Sequence, residues 1–158
     1  NVRRLGEHIK RDLQPYAQRI ELAGSIRRKK PATDIDIVMI PRDVDAVKDY
    51  LRSHGKMVRA GDKISSSRIK GVNVDVLFAD KQAYPATLMF ATGGYGANIW
   101  HRKQAQQKGW LLNQYGLFDR RTRKPIPVKS EKDIYHKLGL SYRRPELRGL
   151  PRKTLKGG

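Results

Sequence analysis

The sequence predicts an α+β fold in two lobes with a basic tail. A mixed sheet with flanking helices is expected over residues 1–80, a smaller, mainly helical lobe with a short hairpin over 81–149, and a flexible basic tail over 150–158. Three observations carry this reading. The stretches 34–40 and 72–78 alternate in the period-two manner of strands. Val2, Leu5, Ile9 and Leu13, and again Val44, Val47 and Leu51, recur at helical spacing. Beyond residue 80 alternation gives way to longer segments broken at Thr92-Gly93-Gly94.

Taken in order, residues 2–14 predict an amphipathic helix ended near Pro15. Residues 19–23 alternate as a strand, broken by Gly24-Ser25, and Ser25 is placed to cap a short helical turn through Arg28. Asp34, Asp36 and Val38 share one face of the next strand, with Ile35, Ile37 and Met39 on the other, and Pro41 stops it. Asp43 opens a helix that ends at Gly55. Two or three strands are expected between Lys56 and Phe78. Residues 82–91 and 95–108 read as helices. Leu111-Leu112 and 116–118 suggest short strands about a turn. Ser130, with Asp133 three residues on, caps a final helix through Leu138.

The charge is the strongest global feature. Lys plus Arg number 34 against 15 Asp plus Glu, a formal net charge of +19 in 158 residues. A compact domain so unbalanced repels itself unless a polyanion shares its surface, and nucleic acid fits that description. No apolar run approaches the roughly 20 residues of a membrane span, and no membrane partner is expected. There are no cysteines, so thiolate metal sites and disulfides are excluded. His8, His54, His101 and His136 are scattered and form no ligand cluster, and most are expected at the surface. Trp100 and Trp110 are read as packing residues. Nothing in the sequence identifies a compartment.

Asp34 and Asp36 stand two apart on one strand and so project from one face. Taken alone, such a pair more often decorates a solvent face. Two convergent carboxylates repel unless a cation sits between them, and Mg²⁺ favours such oxygen ligands. Asp75, on another alternating strand, would complete a set of three if the strands are neighbours. Such a set suits two divalent ions and in-line phosphoryl transfer. Gly24-Ser25, leaving a strand and entering a helix, exposes backbone N–H groups and a hydroxyl to an anion, and Arg28 could clamp phosphate oxygens.

Gly24-Ser25-Ile26-Arg27-Arg28, Asp34-Ile35-Asp36 and Asp75 in "VNVDV" together resemble the family X DNA polymerases, the polymerase beta type of nucleotidyltransferase. The likeness continues through "FATGGYGANIWHRKQAQQKGWLLNQYGLF" and "SEKDIYHKLGLSYRRPELRG", and covers residues 2–149. It looks most like the minimal viral members, without lyase and helix-hairpin-helix subdomains. The resemblance implies a catalytic palm over 1–80 and a nucleotide- and DNA-binding subdomain over 81–149.

It further implies gap-filling, DNA-directed DNA synthesis in repair by a monomer, with two Mg²⁺ ions (Mn²⁺ as a substitute), dNTP and gapped or primer-template DNA. Asp34, Asp36 and Asp75 would be the catalytic metal ligands. Gly24, Ser25, Arg28, Phe90, Gly93 and Asn98 would contact the nucleotide. Arg102 would meet the template strand, and Lys103, Lys108, Arg120, Arg121 and Arg123 are candidates for DNA backbone contact. The chain departs from the family pattern at Thr33, where a Gly is usual, in a Gly24-to-Asp34 loop one residue short, in Phe90-Ala91 for Tyr-Phe, and in Gly94 for Ser. A template-independent tailing enzyme acting on nucleic-acid ends, and a catalytically silent DNA-binding module, are the alternatives.

Overall fold

Residues 1–149 are described by the computed structural model, and the expected tail over 150–158 lies outside them. Helix α1 (Val2–Leu13) is capped by the Asn1 side chain, which accepts from Arg4 N, and buries Ile9 and Leu13. The helix ends just before Pro15, as expected, and Pro15 sits inside a 3₁₀ turn over Gln14–Tyr16, where its missing N–H leaves no bond unmade. Strand β1 (Ala17–Leu22) follows, then the one-turn helix α2 (Gly24–Arg27) and strand β2 (Ile35–Pro41). Asp43 caps α3 (Val44–His54) by accepting from Ala46 N. Strands β3 (Lys56–Ala60), β4 (Ile64–Ile69) and β5 (Val72–Phe78) complete the sheet.

The sheet order is β1-β2-β5-β4-β3. Only β2 and β5 run parallel; their neighbours are antiparallel. Helices α1 and α3 cover one face. There Ile9, Leu13, Val47 and Leu51 pack with Ile35, Ile37, Met39, Val74, Val76 and Phe78. Burial of these side chains, at roughly 1.5–3 kcal/mol each, holds the sheet at one fixed register, because a one-residue slip would turn Asp36 and Asp75 into the core.

On the opposite face Val38 lies on the side of Asp36, as the alternation places it, and is fully buried. Helix α4 (Tyr84–Thr92) lies across that end of the sheet, so Val38 joins Ala23, Leu77, Tyr84 and Leu88 in a second core. Alternation along β2 cannot reveal this, because the cover arrives from residues nearly fifty positions away.

Helix α4 also contributes Ala86 and Met89 to a third core, with Ala105, Leu112, Leu117, Ile134, Tyr135 and Leu138. Around it stand α5 (Tyr95–Gln107), the strands β6 (Trp110–Asn113), β7 (Gly116–Asp119) and β8 (Pro125–Ile126), and α6 (Glu131–Lys137). β8 was not foreseen: it pairs with β7 by only two register positions, Leu117 with Ile126 and Phe118 with Pro125. Ser130 caps α6 by accepting from Asp133 N, as its spacing predicts. Of the four scattered histidines, His101 is 3 % exposed and stands edge-on to Tyr135 and Trp100. Among the described residues, no helix is long and apolar enough to cross a membrane.

Candidate active site

The parallel pairing of β2 with β5 sets Asp36 directly opposite Asp75. Both are half-buried, and both leave the sheet on the side away from α1 and α3. Adjacent strands stand roughly 4.8 Å apart, so the two carboxylates are neighbours by backbone geometry alone. The expected juxtaposition of Asp36 and Asp75 is therefore present. Asp34 is different. It was expected on the strand, but β2 begins at Ile35, and Asp34 falls in an exposed bend one residue earlier. It remains close enough for its charge to act on Asp36.

Asp36 shows the strain of this arrangement. Burial, then the charges of Asp75 and Asp34, push its carboxyl up to about 6, while Arg28 opposes the rise. A divalent cation between these oxygens would remove the repulsion, and an all-oxygen donor set suits Mg²⁺ or Mn²⁺ rather than a thiolate-seeking metal. The residues thus fit such an ion in chemistry. They do not close into a finished cage: among the described residues, no three His, Asp or Glu side chains are arranged to hold a metal.

Above the pair lies the Gly-Ser turn. Ala23 N donates to Asp36 O at 2.8 Å, tying the end of β1 to the carboxylate strand. Gly24 then takes φ +58°, and a Cβ there would collide with Asp36 Oδ2. Only glycine meets both demands, the left-handed backbone and the close approach. Ser25 Oγ accepts from Arg28 Nη2 at 3.2 Å, and Arg28 Nη1 donates to Thr92 O at 2.5 Å. Arg28 also packs against Gly93, where a Cβ would lie 3.1 Å from Nη1. The expected nucleotide contacts Gly24, Ser25, Arg28 and Gly93 therefore form one continuous surface beside Asp36.

The neighbouring Arg27 does something the sequence did not suggest. Its guanidinium makes a paired contact with Glu131 (Nη1 to Oε2 2.9 Å, Nη2 to Oε1 2.6 Å) and donates to Thr92 Oγ1 at 2.9 Å. Arg148, whose side chain is wholly buried, donates to Glu131 Oε2 at 2.6 Å. Burial would raise the Glu131 carboxyl, yet the two arginines hold it below the usual carboxylate range. Burial would likewise lower Arg27, and Glu131 reverses this. This strut joins α2, the end of α4, the start of α6 and the C-terminal turn. Arg27 and Glu131 are 104 residues apart, so no local pattern could have linked them.

The remaining predicted residues fall into two groups. On α5, Asn98 Nδ2 donates to Phe90 O at 3.0 Å, and Arg102 stands over the Phe90 ring, 5.8 Å from its centroid. Phe90, Asn98 and Arg102 thus form a second small cluster, just past the Arg28 surface along the chain. Lys103, Lys108, Arg120, Arg121 and Arg123 are all exposed and do not join either cluster. Three of them share the β7–β8 turn, where Asp119 Oδ1 accepts from Arg121 N and Thr122 N at 2.9 Å. That side-chain turn holds the cations out on a defined loop.

Comparison with known proteins bears on this geometry. Residues 87–149 match the family model described as DNA polymerase beta thumb. Repair DNA polymerase X of African swine fever virus, from a Namibian warthog isolate, is 29 % identical over 147 residues, covering 84 % of this chain and 82 % of the viral protein.

The chain is similar to the family X DNA polymerases over most of its length.

Human DNA-directed DNA/RNA polymerase mu is 35 % identical over 83 residues, which is 50 % of this chain and 16 % of that one. Among solved structures, Leishmania infantum polymerase beta in a ternary gap complex superposes with a TM-score of 0.81 at 20 % identity, over 92 % of this chain and 68 % of that one. This structural likeness establishes the shared α+β fold. Family X polymerases generally use divalent metals.

Proposed function

We propose that this protein is a DNA-directed DNA polymerase of the family X type that fills short gaps in repair. The observation that carries the reading is the in-register pair Asp36 and Asp75 beneath the glycine turn at Gly24. The reaction joins a primer 3′-oxygen to the α-phosphorus of a dNTP, breaks the bond to pyrophosphate and releases the hydroxyl proton. Asp36 and Asp75, with Asp34 swinging in from its bend, would hold two Mg²⁺ ions, which when bound neutralise phosphate charge and lower the pKa of the attacking hydroxyl. The rest falls to the chain's own groups.

The backbone N–H groups of the Gly24-Ser25 turn and the Ser25 hydroxyl offer donors to the triphosphate. Arg28, tied to the Thr92 carbonyl, can exchange that neutral acceptor for a charged phosphate oxygen, which binds it more strongly. Gly93 permits close approach of the sugar. Asn98, held by the Phe90 carbonyl, faces the base, and Arg102 the template strand. Residues 1–80 would then serve as the palm and 81–149 as the subdomain that grips nucleotide and DNA. The net charge of +19 supplies salt-dependent affinity for gapped or primer-template DNA. The working form is a monomer that needs no membrane.

A primer-extension assay tests this. Labelled one-nucleotide-gapped DNA with Mg²⁺ and single dNTPs should gain the template-matched nucleotide. Addition that ignores the template would instead favour end-tailing. Full activity in Asp75→Ala would remove the assignment of the site.

A further inference from the structure

We propose that Tyr95 is a base-stacking platform, which the nucleotide's base meets when its triphosphate lies on Arg28. The inference rests on the polymerase reading above and deepens it by naming a residue that selects for an aromatic base. Tyr95 is 83 % exposed, the most exposed of the large apolar or aromatic side chains among the described residues. An aromatic ring left in water on a protein whose other tyrosines are mostly packed asks for a partner. Among the described residues it has no hydrogen bond and no ring contact.

Its place in the fold says what that partner is. Tyr95 is the first residue of α5, directly after Gly93 and Gly94, against which the Arg28 guanidinium packs. Arg28 in turn bonds Ser25 and stands close enough to Asp36 for its charge to oppose the rise of that carboxyl. The ring is thus anchored at the far end of the surface that begins at the carboxylates. On a helix, positions i, i+3 and i+7 share one stripe, so Tyr95 lines up with Asn98 and Arg102. These two already converge on Phe90. The surface therefore runs from Arg28, packed on Gly93 and Gly94, through the Tyr95 ring to the amide of Asn98 and the cation of Arg102. That order matches phosphate, then a flat π-face, then polar base edges.

Gly96 keeps the flank open: a Cβ there would meet nothing within 4 Å. Stacking tolerates any base, because each has a π-face, so Tyr95 would add affinity without sequence preference. A DNA-backbone contact at this position would call for a cation, which Tyr95 is not.

The test compares a dNTP with the baseless sugar, 2-deoxyribose 5-triphosphate, on the full protein with gapped DNA. Binding constants are measured for wild type, Tyr95→Phe and Tyr95→Ala. Removing the ring should weaken dNTP binding about ten-fold. The same change should leave the baseless triphosphate within about two-fold, and Tyr95→Phe should keep wild-type affinity for both. Equal loss for dNTP and baseless triphosphate would mark a structural role and overturn the inference. So would unchanged dNTP binding in Tyr95→Ala while wild type binds normally. Wild type that binds neither ligand would instead overturn the polymerase reading itself, and the platform with it.

Discussion

Glu131→Gln should destabilise the protein far more than its single lost charge suggests. Glu131 is 8 % exposed and answers two guanidiniums, one of which, that of Arg148, has no exposed side-chain surface. Without the carboxylate, Arg148 keeps its charge in the interior with no counter-ion. Breaking a buried pair by removing one partner typically costs about 3–5 kcal/mol. The geometry places this case near that range: three charge-assisted hydrogen bonds of 2.6–2.9 Å end on the two Glu131 oxygens. Glutamine keeps one acceptor oxygen, so roughly 3 kcal/mol is expected. Urea unfolding followed by the fluorescence of Trp100 and Trp110 reads this directly. With a slope of about 1–3 kcal/mol per molar, the midpoint should fall by at least about 1 M. A loss under about 1 kcal/mol, the level of an exposed ion pair, would refute the view that Glu131 holds the two parts of the molecule together.

Acid should act through the same residue. The Glu131 carboxyl is held low in the fold, so its stabilisation is present above the ordinary carboxylate range and lost as pH falls through its depressed value; Glu131→Gln should flatten that acid limb. Asp36 has the opposite sign. Its carboxyl is raised to about 6, so stability is full below its unfolded value and falls as pH rises through about 6. Asp36→Asn should therefore be more stable than wild type at pH 8, by at most about 3 kcal/mol, while extension is lost; equal thermal midpoints at pH 8 would contradict this. Gly24→Ala should abolish extension, because its Cβ meets Asp36 Oδ2 and its φ of +58° is strained, and a nearly active Gly24→Ala would show the turn to be plastic. Replacing Arg120, Arg121 and Arg123 together by Ala should lower the slope of log affinity against log salt by about 3, and an unchanged slope would take the β7–β8 turn out of the DNA contact.

Much of this was legible in the sequence because the relevant rules are local. Alternation over 72–78 placed Asp75 opposite to Val74 and Val76, and the fold keeps that division. The caps at Asp43 and Ser130 were read from spacing alone and form as expected. Gly24-Ser25 was singled out by residue type, and its left-handed glycine and serine–arginine contact are present. Asp34 was misplaced by one residue because alternation marks a period and not a strand end, which depends on where the ladder hydrogen bonds stop. The burial of Val38 was beyond local rules, because it depends on what lies across the sheet.

The sequence by itself determined the fold class, the carboxylates, the glycine turn and the polyanion-seeking charge, since each depends on residue type at short spacing. Tertiary structure alone decided three things. It brought Asp36 beside Asp75 through a parallel pairing of strands separated by an intervening helix and hairpin. It gave the adjacent arginines opposite tasks, Arg28 toward the Asp36 surface and Arg27 into the Glu131 strut. It left Tyr95 bare on the same helical stripe as Asn98 and Arg102. The physical reason is common to all three: charges and rings act through space over a few ångströms, whereas sequence records only separation along the chain.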